Sequence, residues 1–202
     1  FDPLEAMLPT APLIHEGLES YEHDRTKYMV LAGSNICNHY KLRRGDVDAA
    51  FAKADRIFEN VFTTQMQAHA SIEPHMAIAQ VDPTGKITLW VNTQAPYRFR
   101  KQLAQALGIS QDKLRVICCG VGGGFGGKLW PRISPIAIAL AMHAGNRPVR
   151  LALSREEEFS TTAVRHPAII YHKTGVTRDG LIVASQVKII YDTGAYAVCG
   201  PL

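Results

Sequence analysis

The chain has 202 residues, with 22 Lys and Arg against 18 Asp and Glu and a formal net charge of +4. Its hydrophobic share of 47% can fill the core of one domain or slightly more. The cations are scattered and nowhere form a run interleaved with aromatics, so composition argues against nucleic acid as a partner. The longest unbroken apolar run, residues 136–142, is too short to span a bilayer.

Cys37, Cys118, Cys119 and Cys199 show no CxxC spacing. Adjacent Cys118 and Cys119, on a predicted strand over 114–121, would point to opposite faces and chelate no common metal. They read as small apolar residues of a reducing compartment, so the expected protein is soluble and cytoplasmic. Phe1 at the start and a strand-like run at the end read as the two edges of a piece of a longer polypeptide.

Residues 1–45 carry weak periodicity and are expected to be a connecting segment from a preceding domain. Residues 46–202 are expected to be one domain, incomplete at its C-terminus. Asp46 suits the cap of a short helix through Asp55, with Val47, Ala50, Phe51 and Ala54 on one face. Strands are expected over 57–64, 76–81 and 86–93, the last two joined through the turn signal Asp82-Pro83-Thr84-Gly85.

From Lys86 the pattern alternates strand, helix, strand, helix, strand. Pro96 suits the first turn of a helix with Phe99, Leu103, Ala106 and Leu107 on its apolar face and Gly108 at its end. A strand over 114–121, a helix from Pro131 or Arg132 to Gly145, and a strand over 149–153 complete the series. If the strands are parallel with right-handed crossovers, the loops after Thr93 and Val121 leave one sheet edge, which brings Gln94 and Phe125 to one crevice. Ser154-Arg155-Glu156-Glu157 has a capping-box pattern, so the carboxylates of residues 156–158 read as the solvated first turn of a helix. Runs over 168–175 and 181–191 around Arg178-Asp179-Gly180 read as a hairpin. The expected fold is α+β: mixed sheets with a central strand-helix-strand-helix-strand segment and antiparallel hairpins.

The run Gly122-Gly123-Gly124-Phe125-Gly126-Gly127-Lys128 has little to contribute to a core. Glycines so dense serve positive φ or close backbone approach, and their exposed N–H groups suit phosphate or an oxo group. Gly122, Gly124 and Gly127 satisfy the dinucleotide spacing GxGxxG, but Leu129-Trp130-Pro131 delays the helix which that motif needs at once. Residues 122–128 also satisfy GxxxxGK, yet Leu129 stands where Ser or Thr must hold magnesium. A plain glycine turn where segments cross is the remaining alternative.

His69 and His75 match no zinc signature, Asp192 before Gly194 reads as a turn residue, and Arg165-His166 beside Pro167 reads equally as support for the site edge or as local conformation. No GxSxG elbow offers an acyl-transfer nucleophile.

The glycine run closely resembles that of the molybdenum-binding subunit of the xanthine dehydrogenase and aldehyde oxidase family. Other segments are similar to the same family in the same order. They are Gly45-Asp46-Val47, Glu73-Pro74-His75, Trp90-Val91-Asn92-Thr93-Gln94-Ala95-Pro96, Arg147-Pro148-Val149-Arg150, Arg165-His166-Pro167 and Asp192-Thr193-Gly194-Ala195-Tyr196. The resemblance implies that Gln94 lies beside molybdenum as the chain's catalytic-site amide and cofactor contact. It implies that backbone at Phe125 and Gly126 approaches an oxo ligand, with Gly123 and Gly124 shaping the turn, and that no residue ligates the metal directly.

It further implies a molybdenum-pterin cofactor, with or without a cytosine dinucleotide tail, and iron-sulfur clusters and FAD in partner domains or subunits. The implied activity is hydroxylation of a carbon with a water-derived oxygen. Purine-oxidising members resemble one another in a Glu directly after the loop's Lys. Leu129 stands there, so an aldehyde or an aromatic heterocycle is the expected substrate and Leu129 a pocket wall. The family's general base falls outside the matched region, so these residues alone, apart from the remainder of the molybdenum subunit, are expected to be inactive. A nicotinamide-binding dehydrogenase domain and a noncatalytic assembly module are the alternatives.

Overall fold

The computed structural model describes residues 2–17, 20 and 30–194; Cys199 and the Ala195-Tyr196 end of the last similar segment lie outside them. The chain divides into two compact units, one from residues up to Gln67 and from His166 onward, the other Ala68–Arg165. The architecture is α+β, with antiparallel and mixed sheets, as expected from the pattern.

In the first unit, helix α1 (Pro3–Ala6) is capped by Asp2, and α2 (Val47–Phe51) by Asp46, whose carboxylate accepts from Ala49 N at 3.0 Å. Strand β1 (Arg56–Thr64) enters the sheet, and the short β2 (Gln67–Ala68) leads out of the unit. The sheet is completed after the chain returns, by the predicted C-terminal hairpin described below. Asp192 does close a turn, its Oδ1 accepting from Gly194 N at 2.9 Å.

The second unit holds β3 (Met76–Val81), β4 (Ile87–Val91), α3 (Pro96–Leu107), β5 (Leu114–Ile117), α4 (Ser134–Met142), β6 (Val149–Ala152), α5 (Arg155–Thr161) and the short β7 (Val164–Arg165). Then β8 (Ala168–Val176) and β9 (Ile182–Tyr191) form the hairpin of the first unit, with β8 central and antiparallel to both β1 and β9. Gly175 of β8 lies under α2, where a Cβ would come to 3.0 Å from that of Ala54.

The sheet of the second unit has the order β5-β4-β3-β6. β4 and β5 are parallel, while β3 is antiparallel to both β4 and β6. Hence β4, β5 and β6 all run in one direction, as the strand-helix alternation suggested, but β3 intervenes between β4 and β6 because the turn at Asp82 folds it directly against β4. One face carries Ala77, Ala79, Ile87, Leu89 and Val91, buried against Phe99 and Leu103 of α3 and Ala137, Ile138 and Ala141 of α4. Burying a side chain such as Phe99 or Leu103 contributes about 2 kcal/mol. Gly108, at φ 65°, ends α3 as expected, its left-handed backbone closing the last turn.

Several boundaries differ from the sequence expectation: α2 ends at Phe51 rather than Asp55, β4 ends at Val91 rather than Thr93, and β5 and α4 differ as well. Strand β5 stops at Ile117 rather than Val121, because its partner β4 ends at Val91 and offers no further ladder. Cys118 and Cys119 therefore lie beyond the strand, and the Cys118 thiol donates to the Thr93 carbonyl at 3.1 Å. Helix α4 begins at Ser134, not at Pro131 or Arg132, and ends at Met142. Pro135 occupies its first turn, and the preceding residues fold tightly, with Arg132 N donating to Trp130 O at 2.9 Å.

Candidate functional site

The carboxyl ends of β4, β5 and β6 and the amino end of β3 share one edge of the second unit's sheet. Everything singled out near the glycine run converges there. The loop after β4 supplies Asn92, Thr93 and Gln94, the loop after β5 supplies residues 122–128, and the approach to β3 supplies Glu73 and His75. This is the edge where open sheets with parallel strands place ligands, since loops there diverge and helix starts face the gap.

Gln94 is tied down on one side only. Its Oε1 accepts from Gly126 N at 3.0 Å and from Lys128 N at 3.3 Å, and its own N–H donates to Lys128 O at 3.1 Å. Thr93 Oγ1 also donates to Lys128 O, at 2.9 Å. The backbone turns sharply inside the loop: Gly123 has φ 91°, Phe125 φ 50° and Gly126 φ 93°, with Gly127 N donating to Gly124 O at 2.7 Å. At Gly124 a Cβ would overlap Gln94 Oε1, so only glycine lets the amide reach the loop.

Lys128 is fully buried. Its Nζ donates to Glu73 O at 2.7 Å and to Glu73 Oε2 at 3.0 Å, and the same carboxylate oxygen accepts from Gly122 N at 2.7 Å. One carboxylate thus staples the first and last residues of the glycine run. Partial burial would raise the Glu73 carboxyl; the hydrogen bond from Gly122, then that from Lys128 and its charge, outweigh this and hold its pKa below the usual glutamate range.

Behind the loop, His75 and Glu158 are both buried. His75 Nδ1 lies 2.7 Å from Glu158 Oε1, His75 N donates to Glu158 Oε2 at 2.8 Å, and His75 Nε2 lies 3.2 Å from Gly127 O. Glu158 thus departs from the solvated first turn expected of residues 156–158. The capping box at Ser154 forms as expected and leaves Glu156 and Glu157 exposed, but it turns Glu158 inward, where an imidazole and an N–H meet both carboxylate oxygens. His75 is thus buried and hydrogen-bonded on both ring nitrogens. His69 sits behind the loop too, with Nδ1 3.0 Å from Ala163 O. Arg155 anchors the approach to β3 by donating to Ser71 O at 2.6 Å and Ile72 O at 2.7 Å.

The predicted site residues Gln94, Gly123, Gly124, Phe125 and Gly126 are thereby brought together, and Leu129 lies half-buried just past Lys128. The Glu73–Lys128 staple and the His75–Glu158 pair escaped the sequence reading. Their signal was positional: polar residues immediately flanking strands that end at one edge.

A pterin-bound molybdenum centre fits the donors present. The N–H groups of Gly123, Gly124 and Phe125 meet no acceptor among the described residues, nor does Gln94 Nε2. Trp130 Nε1 and Arg132 Nε, just beyond the loop, are buried without a partner there. Successive free N–H groups on a loop of alternating hand form a concavity for anionic oxygen. Gly126 N is already taken by Gln94, so of the two peptides expected to face an oxo group only Phe125 keeps its donor.

Comparisons with known proteins agree with that chemistry. A model of the molybdopterin cofactor-binding domain family matches residues 31–202. The large molybdopterin subunit of nicotinate dehydrogenase from Eubacterium barkeri is 39% identical over 83% of this chain and 39% of its own length. The molybdenum-binding subunit of xanthine dehydrogenase from Escherichia coli is 33% identical over 83% of this chain and 22% of its own. Among solved structures, reconstituted CO dehydrogenase from Oligotropha carboxidovorans superposes with a TM-score of 0.70 at 29% identity, covering 94% of this chain and 24% of that one. The chain thus spans well under half the length of these relatives. With most of its residues matched, it belongs to the molybdopterin cofactor-binding domain family, that of the molybdenum subunits related to xanthine dehydrogenase and aldehyde oxidase.

Proposed function

We propose that this chain forms one wall of the cofactor site in a molybdenum hydroxylase that oxidises an aldehyde or the carbon of an aromatic heterocycle. The observation that carries the reading is the one-sided anchoring of Gln94. Its carbonyl oxygen is held by Gly126 and Lys128, which leaves its Nε2–H group to donate outward beside the free N–H groups of Gly123, Gly124 and Phe125. When bound, the molybdenum-pterin cofactor supplies two-electron redox chemistry at the substrate carbon, with water as the oxygen source.

The chain's own part is binding and orientation. Fixed backbone N–H donors stabilise negative oxygen without reorganising, and an uncharged amide does so at any working pH. Leu129, following the buried Lys128, offers an apolar wall with no carboxylate for a purine. The relative named a nicotinate dehydrogenase supports the heterocycle class. On this reading the general base comes from elsewhere in the longer polypeptide, and electrons leave through iron-sulfur clusters and FAD in partner domains or subunits. Whether the pterin carries a cytosine dinucleotide is read from the released cofactor.

The test is expression of the full reading frame containing these residues in a host that makes the pterin, with molybdenum and pterin measured per polypeptide. Stoichiometric loading supports the proposal. Loading of neither, where a known molybdenum enzyme loads, would favour the nicotinamide-binding or assembly alternatives, and NAD titration would separate those two.

A further inference from the structure

The peptide unit joining Gly127 to Lys128 is held at both ends. Its carbonyl oxygen lies 3.2 Å from His75 Nε2, and its N–H donates to Gln94 Oε1 at 3.3 Å. Behind His75 stands Glu158, 2.7 Å from Nδ1. A continuous path of hydrogen bonds therefore runs from a buried carboxylate, through an imidazole and one peptide group, to the amide that faces the proposed cofactor.

Counting protons gives this path a direction. The 2.7 Å contact between Nδ1 and the carboxylate requires one proton. A lone pair on Nε2 would face the lone pairs of the Gly127 carbonyl and repel it, so Nε2 carries a second proton. The His75–Glu158 pair holds both, whether drawn as imidazolium with carboxylate or as imidazole with carboxylic acid. A donor of this kind polarises the carbonyl it touches and strengthens the N–H across the same peptide bond. Neighbouring hydrogen bonds in a buried chain reinforce one another.

We propose that His75, supported by Glu158, is a positioning residue which acts through the Gly127–Lys128 peptide to orient and polarise Gln94. This rests on the cofactor reading above, and its test is built to fail separately. In the intact holoprotein, His75→Asn removes the reach of Nε2, His75→Gln restores a donor near that place, and Glu158→Gln keeps the shape while removing the carboxyl group and its proton.

Three quantities are measured: molybdenum and pterin per polypeptide, hydrogen–deuterium exchange of the peptide spanning residues 122–128, and kcat with KM. For His75→Asn the expected results are retained cofactor, about tenfold faster exchange and about tenfold lower kcat with KM little changed, as loss of one buried hydrogen bond would produce. His75→Gln is expected to recover most of both.

Wild-type exchange and kcat in His75→Asn would overturn the proposal. So would equal impairment in His75→Gln, which would mark a purely packing role. If His75→Asn does not fold, Glu158→Gln decides: faster loop exchange supports the relay and unchanged exchange refutes it. A wild-type protein lacking molybdenum and pterin sinks the cofactor reading alone, since the exchange comparison still decides whether His75 holds the loop.

Discussion

Lys128 and Glu73 form an ion pair that straddles the protein surface: Nζ and Oε2 are 3.0 Å apart, with the lysine side chain 1% and the glutamate 32% exposed. The lysine also satisfies the Glu73 carbonyl, so its burial is matched by two acceptors. Lys128→Met should keep the packing of the stem while freeing the loop ends. We expect a loss of about 1–3 kcal/mol in urea unfolding, discounted from a fully buried pair because water reaches the carboxylate. An unchanged midpoint would mean that the staple contributes nothing.

The Glu73 carboxyl should make stability acid-sensitive. Its pKa in the folded state lies below the ordinary value of 4.5, so its contribution is complete above that value and is lost as pH falls through the lower folded value. Urea midpoints measured from neutral pH down into the acid range should fall less steeply for Glu73→Gln than for the wild type. Identical slopes would place the acid sensitivity elsewhere.

Gln94→Ala removes two loop contacts and the outward-facing amide. Because the residue is exposed at the sheet edge rather than in the core, the cost to stability should be about 1 kcal/mol, while turnover of the intact enzyme drops. Circular dichroism and kinetics on the same preparation check this. Full turnover in the variant would remove Gln94 from the site.

Gly124→Ala should disturb the loop more than Gly120→Ala. A Cβ at Gly124 meets Gln94 Oε1, whereas one at Gly120 meets nothing within 4 Å. Overpacking of this kind costs about 1–3 kcal/mol, and the comparison of the two melting curves tests it directly. Equal curves would show that Gln94 moves aside freely.

Local chemistry determined much of this molecule. Alternating Ile87, Leu89 and Val91 marked β4, Pro96 and Gly108 bounded α3, and Asp46 and Ser154 announced their helices, because propensity and capping act within a few residues of chain. The glycine run and Gln94 could be placed at one edge because strands alternating with helices point the same way. Tertiary structure alone decided that β3 enters between β4 and β6, that β5 ends with its partner at Ile117, and that Glu158 turns inward to His75. Those outcomes depend on which distant groups satisfy a carbonyl, a carboxylate or an ammonium. A lysine is ordinarily a surface cation, and Lys128 is buried because Glu73, 55 residues earlier, supplies both of its acceptors.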